Sequence, residues 1–73
     1  MIIEAEPKRG PDGEILCDYE RCNVAAVIEF RAHDVGRIVT YYACADAKHM
    51  SEVRADAKVV AARGVSARRM GAA

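Results

Sequence analysis

Three cysteines and one histidine form the most informative pattern in the sequence. Cys17 and Cys22 have four residues between them, and the same spacing recurs between Cys44 and His49. Thiolate sulfur and imidazole nitrogen are the ligands of tetrahedral structural zinc sites, and three cysteines with one histidine is a common set. The pattern therefore predicts one structural Zn²⁺ per chain, bound by Cys17, Cys22, Cys44 and His49.

Two other interpretations of the cysteines are weaker. They could be buried thiols of an ordinary core, since free cysteine packs well in protein interiors. A nucleophilic cysteine would need a paired base and an oxyanion site in a cleft. An odd number of cysteines closes no disulfide framework, and the acidic start of the chain does not resemble a secretory signal, so we expect reduced thiols in the cytoplasm. His33 is predicted to lie in a turn, away from the cluster.

Two predicted strands separate the two halves of the cluster. Residues 24–31 and 37–42 are rich in β-branched and aromatic residues, and residues 32–36 contain the turn formers aspartate and glycine. This pattern predicts an antiparallel hairpin. Because Cys22 and Cys44 flank its open end, the hairpin would bring the cysteines of both halves together.

The expected hairpin register assigns the side chains to two faces. It pairs Val24 with Tyr42 and Ile28 with Ile38, so that Tyr42 packs in the core. Tyr41 then lies on the opposite, mixed face, where an aromatic residue can anchor a partner protein. The candidate partner contacts on this face are Tyr41, Val39 and Arg37.

A helix is predicted over residues 46–63. The segment is rich in alanine and places an apolar stripe at helical spacing, with Asp46 as the N-cap and Gly64 just beyond the last turn. Residues five apart do not share a helix face, so Cys44 must precede the helix and His49 must lie in its first turn. The predicted stripe comprises Met50, Val53, Ala57, Val60 and Ala61.

Length and composition limit what the chain can be. It has 73 residues and 52% are hydrophobic, but there is one Phe, three Tyr and no Trp. A core with so few large side chains is expected to need a staple such as a metal. A deep enzyme pocket is not expected, and no run approaches the roughly 18 apolar residues of a membrane span. We expect an α+β domain over residues 15–64, a flexible acidic leader over 1–14 and a short basic tail over 65–73.

The charges are balanced overall but unevenly distributed. Residues 1–20 hold six acidic and two basic residues, whereas residues 44–73 hold six basic and three acidic ones. A nucleic-acid-binding domain usually shows a clear basic excess. We therefore expect a non-catalytic module that binds another protein as an adaptor, accessory factor or inhibitor, as a monomer or homodimer and without a membrane partner. The alternative is a nucleic-acid-binding zinc finger that uses the helix and the tail, including Arg63, Arg68 and Arg69.

The cluster and the hairpin together resemble a known family. The segments CDYERCNVAAVIEF and RIVTYYACADAKH are similar to small zinc-binding proteins common in actinobacteria and their phages. The resemblance covers residues 17–63 and departs in having four residues between Cys44 and His49, where two are more usual. It implies a treble-clef-like fold, in which a zinc knuckle and a β-hairpin precede a helix that bears the last ligand. It also implies a metal-stapled binding module, and it names no partner.

Overall fold

A computed structural model describes residues 7–70 of the chain, and these form a three-stranded antiparallel sheet with one helix. The α+β class predicted from the sequence is confirmed, as is the order of a cysteine-bearing loop, a hairpin and a helix. The sheet has the strand order β2-β1-β3, so β1 is central. The elements are β1 (Ile28–Asp34), β2 (Arg37–Ala43), α1 (Ala47–Val60) and β3 (Val65–Arg69).

The hairpin closes with a tighter turn than the sequence predicted. β1 continues to Asp34, so that Val35 and Gly36 alone connect it to β2, and Gly36 takes a φ of 74° that glycine adopts without strain. The observed register pairs Ile28 with Ala43 and Asp34 with Arg37. The predicted register was therefore wrong, because the expected five-residue turn shortens to two.

The change of register exchanges the two faces of β2. Side chains alternate along a strand, so a slip by an odd number of residues turns each of them to the other face. Phe30 pairs with Tyr41 and Ala32 pairs with Val39, and Tyr41 and Val39 pack against the core. Tyr42 pairs with Glu29 on the opposite face. The predicted placements of Tyr41 and Val39 on the mixed face and of Tyr42 in the core were wrong.

The helix begins where the sequence predicted and ends earlier. Asp46 is the N-cap, since its side chain accepts hydrogen bonds from the backbone N–H groups of Lys48 and His49. The last helical residue is Val60, three residues before the predicted end, and Ala61 is the C-cap. Gly64, with a φ of 101°, lies in the turn that follows.

The predicted basic tail is a strand over most of its length. Residues 65–69 form β3, which pairs antiparallel with the free side of β1. The turn before β3 is held by hydrogen bonds from His33 N–H to Gly64 O at 2.9 Å and from Arg63 N–H to His33 O at 2.7 Å. The pairing satisfies backbone groups of the central strand that would otherwise need water. Residues 71–73 of the tail lie outside the described residues.

Part of the predicted flexible leader is also ordered. The N–H of Leu16 donates to the carbonyl of Lys8 at 2.8 Å, and Arg9 forms a β-bridge with Ile15. Residues 8–16 therefore fold back on themselves in a turn that includes Gly13, at a φ of 81°. Residues 1–6 of the leader lie outside the described residues.

The core lies between the helix and one face of the sheet. The helix contributes Val53 and Ala57, and the sheet contributes Phe30, Ala32 and Ala43. Met50, Val60 and Ala61 pack at its margin, which confirms the predicted helix stripe. The three cysteines complete this core. Since most of its other members are alanine or valine, the apolar area removed from water is small, as the composition indicated.

Candidate metal centre

The four predicted ligands meet at one end of the molecule. The Sγ atoms of Cys17, Cys22 and Cys44 and a ring nitrogen of His49 all lie within 4.8 Å of one another. The three cysteines are buried and the histidine is partly buried. Three separate parts of the chain supply these ligands: the loop before β1, the residue after β2 and the first turn of α1. The group could hold one metal ion.

The distances within the cluster suit a small tetrahedral ion. The Sγ atoms of Cys22 and Cys44 are 4.0 Å apart, and Cys44 Sγ lies 3.5 Å from Nδ1 of His49. Sulfur atoms at the usual zinc distance of about 2.3 Å would be about 3.8 Å apart around a tetrahedron. His49 thus presents Nδ1 to the cluster, and a metal bound there would leave the proton of the neutral ring on Nε2.

The cysteine pair lies on a loop of residues 17–22, here called the knuckle. The chain reverses through a hydrogen bond from Cys22 N–H to Tyr19 O at 3.0 Å, and Arg21 takes a φ of 64°. The N–H of Tyr19 points at Cys17 Sγ from 3.4 Å. This hydrogen bond fixes the position of the Cys17 sulfur within the knuckle.

Asp18 fastens the knuckle to the end of β2. Its N–H donates to the carbonyl of Tyr42 at 2.8 Å, and its Oδ2 accepts from the N–H of Tyr42 at 2.8 Å. Partial burial raises the pKa of Asp18, while the Tyr42 N–H and the nearby Lys8 charge favour the carboxylate. The paired hydrogen bonds hold the knuckle next to Cys44, which follows β2.

Lys8 clamps the knuckle from the other side. Its Nζ donates to the carbonyl of Tyr19 at 3.2 Å and to the carbonyl of Cys22 at 3.0 Å. A divalent ion bound by three thiolates and a neutral imidazole carries one net negative charge. The ammonium group of Lys8 offsets that charge and fixes two carbonyls of the loop. The sequence analysis did not find Lys8 or Asp18, because neither is close in sequence to the groups it contacts.

His49 is held in place from two directions. Oδ1 of Asp46 accepts from the His49 backbone N–H at 3.2 Å, which places the residue in the first turn of α1. The ring of Tyr19 stacks on the imidazole with centroids 4.0 Å apart and planes 8° from parallel. The stack and the cap together orient the ring. The four residues between Cys44 and His49 are accounted for by the chain path, which leaves β2 at Ala43, forms the N-cap at Asp46 and enters α1 at Ala47.

Two of the thiols differ in acidity because their surroundings differ. The backbone N–H of Val24 lowers the pKa of the Cys22 thiol. Burial raises the pKa of the Cys44 thiol, because a thiolate is costly in a dry environment. A bound cation would replace the proton of Cys44, so metal uptake by this site is expected to release protons.

The remaining predicted site residues lie elsewhere. His33 is outside the cluster, as predicted, but it lies in β1 and not in a turn, because β1 continues to Asp34; its Nε2 is 2.9 Å from the hydroxyl of Ser66. Arg37 forms an ion pair with Asp34 beside the hairpin turn, with Nε and Oδ2 3.3 Å apart. The last three candidate partner contacts lie along one edge of the sheet but not in one cluster: Arg63 is in the turn before β3, and Arg68 and Arg69 are at the far end of the strand.

None of the family models, curated proteins or solved structures compared with this chain matches it. The chemistry of the site therefore rests on the geometry described above. No helix within residues 7–70 has the length and apolar character to cross a membrane.

Proposed function

We propose that this protein is a non-catalytic zinc module that binds another protein, with zinc as a structural ion. The observation that carries the proposal is the buried group of three cysteines and one histidine within 4.8 Å. Sulfur and imidazole donors suit zinc, and four protein ligands leave no open position for substrate or water. Zinc in such a site supplies folding free energy and no catalytic step.

The position of the ligands supports a structural role. A bound ion would tie the knuckle, the end of β2 and the start of α1 to one point. Structural zinc in small finger domains contributes about 10–16 kcal/mol apparent at neutral pH. A contribution of this size is what a core made largely of alanine, valine and cysteine lacks.

The zinc assignment is tested by native mass spectrometry and circular dichroism, before and after EDTA. We expect one zinc per chain, and loss of zinc and of the folded spectrum together. Cys22→Ser should lose zinc and the fold, whereas His33→Ala, which removes a histidine outside the cluster, should keep both. A metal-free chain that keeps its folded spectrum would overturn the structural role of zinc.

The exposed surface supports a protein partner. The sheet face away from the helix carries Ile38, which is 48% exposed, together with Thr40 and Tyr42, next to Arg31 of the central strand. Such a mixture of apolar, aromatic and arginine side chains is typical of protein interfaces. The open depression beside the metal centre is polar, being lined by Asp18, Tyr19, Glu20, Arg21, Glu52 and Asp56. This gives little support for a small-molecule substrate, whose pockets are mostly apolar.

A nucleic-acid target is the second candidate, because Arg63, Arg68 and Arg69 make this edge of the sheet basic. Fluorescence anisotropy with labelled single-stranded and double-stranded oligonucleotides separates the two. A protein-binding module should show no binding at physiological salt. Binding that falls steeply with salt, and that is lost in an Arg68→Ala/Arg69→Ala variant, would favour the nucleic-acid function.

We also propose that the chain works in a reducing cytoplasm and is related to the small zinc-binding proteins of actinobacteria and their phages. Three unpaired, clustered thiols support the first proposal, because such a cluster keeps its metal where thiols stay reduced. The knuckle, hairpin and helix order supports the second.

A further inference from the structure

The strand β3 is an open edge of the sheet in the part of the chain that the structure describes. It pairs with β1 on one side, and the strand order β2-β1-β3 puts no strand on the other. Four of its five residues are exposed. An unpaired strand edge presents alternating backbone donors and acceptors, which another extended chain can pair with.

The register identifies the backbone groups that face outward. Around β3, the Met70 N–H donates to Val27 O at 2.8 Å and the His33 N–H donates to Gly64 O at 2.9 Å, so the even-numbered residues bond to β1. Antiparallel strands alternate between bonded and outward positions. The N–H and C=O groups of Val65, Ala67 and Arg69 therefore point away from the sheet, along the free edge.

The edge is basic. No acidic residue occurs between Ala57 and Met70, whereas Arg63, Arg68 and Arg69 lie on β3 or in the turn before it. Arg68 is 70% exposed at its side chain, and its Nε lies 3.5 Å from Oε1 of Glu29. Arg31 binds that same oxygen more closely, at 2.9 Å. Arg68 can thus reach a carboxylate, but the carboxylate of Glu29 is shared with Arg31.

We propose that the free edge of β3 binds an extended acidic segment of a partner protein, which adds to the sheet as a fourth strand. This assignment rests on the protein-binding function proposed above and specifies its surface. Backbone hydrogen bonds to Val65, Ala67 and Arg69 would hold the segment. Carboxylates at alternate positions would lie beside Arg68 on one face of the sheet or beside Arg69 on the other.

Charge and geometry disfavour two other occupants. A second copy pairing β3 with β3 would bring arginines of both strands together, and like charges at an edge oppose such pairing. A nucleic acid would prefer basic groups along one surface. Arg68 and Arg69 are consecutive in a strand, so they point to opposite faces of the sheet.

The experiment is an NMR titration of the zinc-loaded full chain with a short peptide of alternating Glu and Val. We expect amide shifts centred on β3 and weak, fast-exchange binding. The matched peptide of alternating Lys and Val should bind at least about tenfold more weakly, because it keeps the strand propensity and reverses the charge. Equal binding of the two peptides would overturn the acidic preference.

Two variants locate the site. Ala67→Pro removes one outward N–H, and a proline is tolerated on an edge strand where the N–H faces solvent. It should weaken binding about three- to tenfold, the effect of one hydrogen bond. Arg63→Glu/Arg69→Glu should weaken binding at least tenfold at low salt. The control Lys48→Glu/Arg54→Glu makes the same charge change at two exposed positions of α1 and should bind as the parent does.

Each variant is first checked for one zinc per chain and a dispersed amide spectrum. If the parent chain holds no zinc and its amide spectrum is not dispersed, the proposed zinc module itself is contradicted. A zinc-loaded, folded parent that shows no β3 shifts at millimolar peptide would overturn the edge site and leave the zinc module standing. Dimerisation through β3, or tighter binding of an oligonucleotide at the same residues, would also overturn the acidic-peptide assignment.

Discussion

Lys8 contacts the backbone of the candidate metal site and none of its ligand atoms. Its Nζ holds the carbonyls of Tyr19 and Cys22, at 3.2 and 3.0 Å, and brings a positive charge to a site rich in thiolates. Groups that orient ligands and balance their charge commonly change metal affinity by about 10–100-fold. Lys8 is therefore expected to control how firmly the knuckle keeps its ion.

Lys8→Met should release zinc about tenfold faster than the parent chain when a colorimetric chelator is added in excess. The substitution keeps a long side chain and removes the charge and both hydrogen bonds. Lys48→Met makes the same change at an exposed helix position and serves as the control. Equal release rates for all three proteins would show that the clamp does not act on the metal.

Tyr19 positions the histidine through ring stacking, with a centroid distance of 4.0 Å. Tyr19→Leu should weaken zinc binding by about 0.5–1.5 kcal/mol, the usual worth of an aromatic pair beyond its buried area. Tyr19→Phe keeps the ring and should bind zinc as the parent does. Affinities measured by chelator competition test both variants, and a Phe variant as weak as the Leu variant would argue against stacking as the cause.

At the scale of the elements, the start of α1 sets the position of the last ligand. Asp46 accepts from the N–H groups of Lys48 and His49, at 2.9 and 3.2 Å, and so places His49 in the first turn. These hydrogen bonds lower the pKa of the Asp46 carboxyl, the His49 N–H being the larger cause. A carboxylate there also complements the positive end of the helix dipole.

Asp46→Ala should lower the free energy of unfolding by about 1 kcal/mol, because it leaves two N–H groups of the helix start without their cap. Asp46→Asn keeps an oxygen acceptor and should cost less. Urea unfolding of the zinc-loaded proteins at neutral pH gives the comparison. Equal losses in the two variants would mean that the charge of Asp46, and not its hydrogen bonds, is what matters.

For the molecule as a whole, the ligand cluster lies where three parts of the chain meet, and a bound ion would join them. The knuckle contacts the sheet through the hydrogen bond between Asp18 and Tyr42. It contacts the helix through the stacked rings of Tyr19 and His49. Lys8, near the first described residue, binds the knuckle through the carbonyl of Tyr19. The core adds a few side chains such as Phe30 and Val53. Folding and metal binding are thus expected to be one event.

The coupling predicts a defined response to pH. Burial raises the pKa of Cys44, so this thiol keeps its proton up to higher pH in the metal-free chain, and zinc must displace that proton. Zinc affinity should therefore fall as pH falls, by at least about tenfold per pH unit below the pKa of Cys44. The lowered pKa of Cys22 means that this thiol loses its proton at lower pH and adds less to the slope near neutrality.

Chelator competition at a series of pH values, with circular dichroism at each, measures this slope. The folded fraction should follow zinc occupancy as the solution is made acidic. A fold that persists at a pH where zinc has left, or an affinity that does not change with pH, would contradict the coupling of metal binding to folding.

Residue type and short-range pattern were sufficient to predict several features of this protein. Three cysteines and a histidine are recognisable as ligands wherever the chain places them, so the metal set could be predicted before the fold. Asp46 as N-cap and the stripe of Met50, Val53 and Ala57 follow from neighbours within a few residues. The hairpin itself was predictable from its β-branched strands, and the small core from the scarcity of large apolar side chains.

Features that depend on contacts distant in sequence could be read from the folded chain alone. The register moved because β1 extended to Asp34 and the turn tightened at Gly36, which placed Tyr41 in the core and Tyr42 outside. A pattern of alternation does not say which face is buried until something covers one of them. Likewise, residues 65–69 carry little strand signal of their own. They became β3 because the unpaired side of β1 needed backbone partners, a requirement that no local segment reveals.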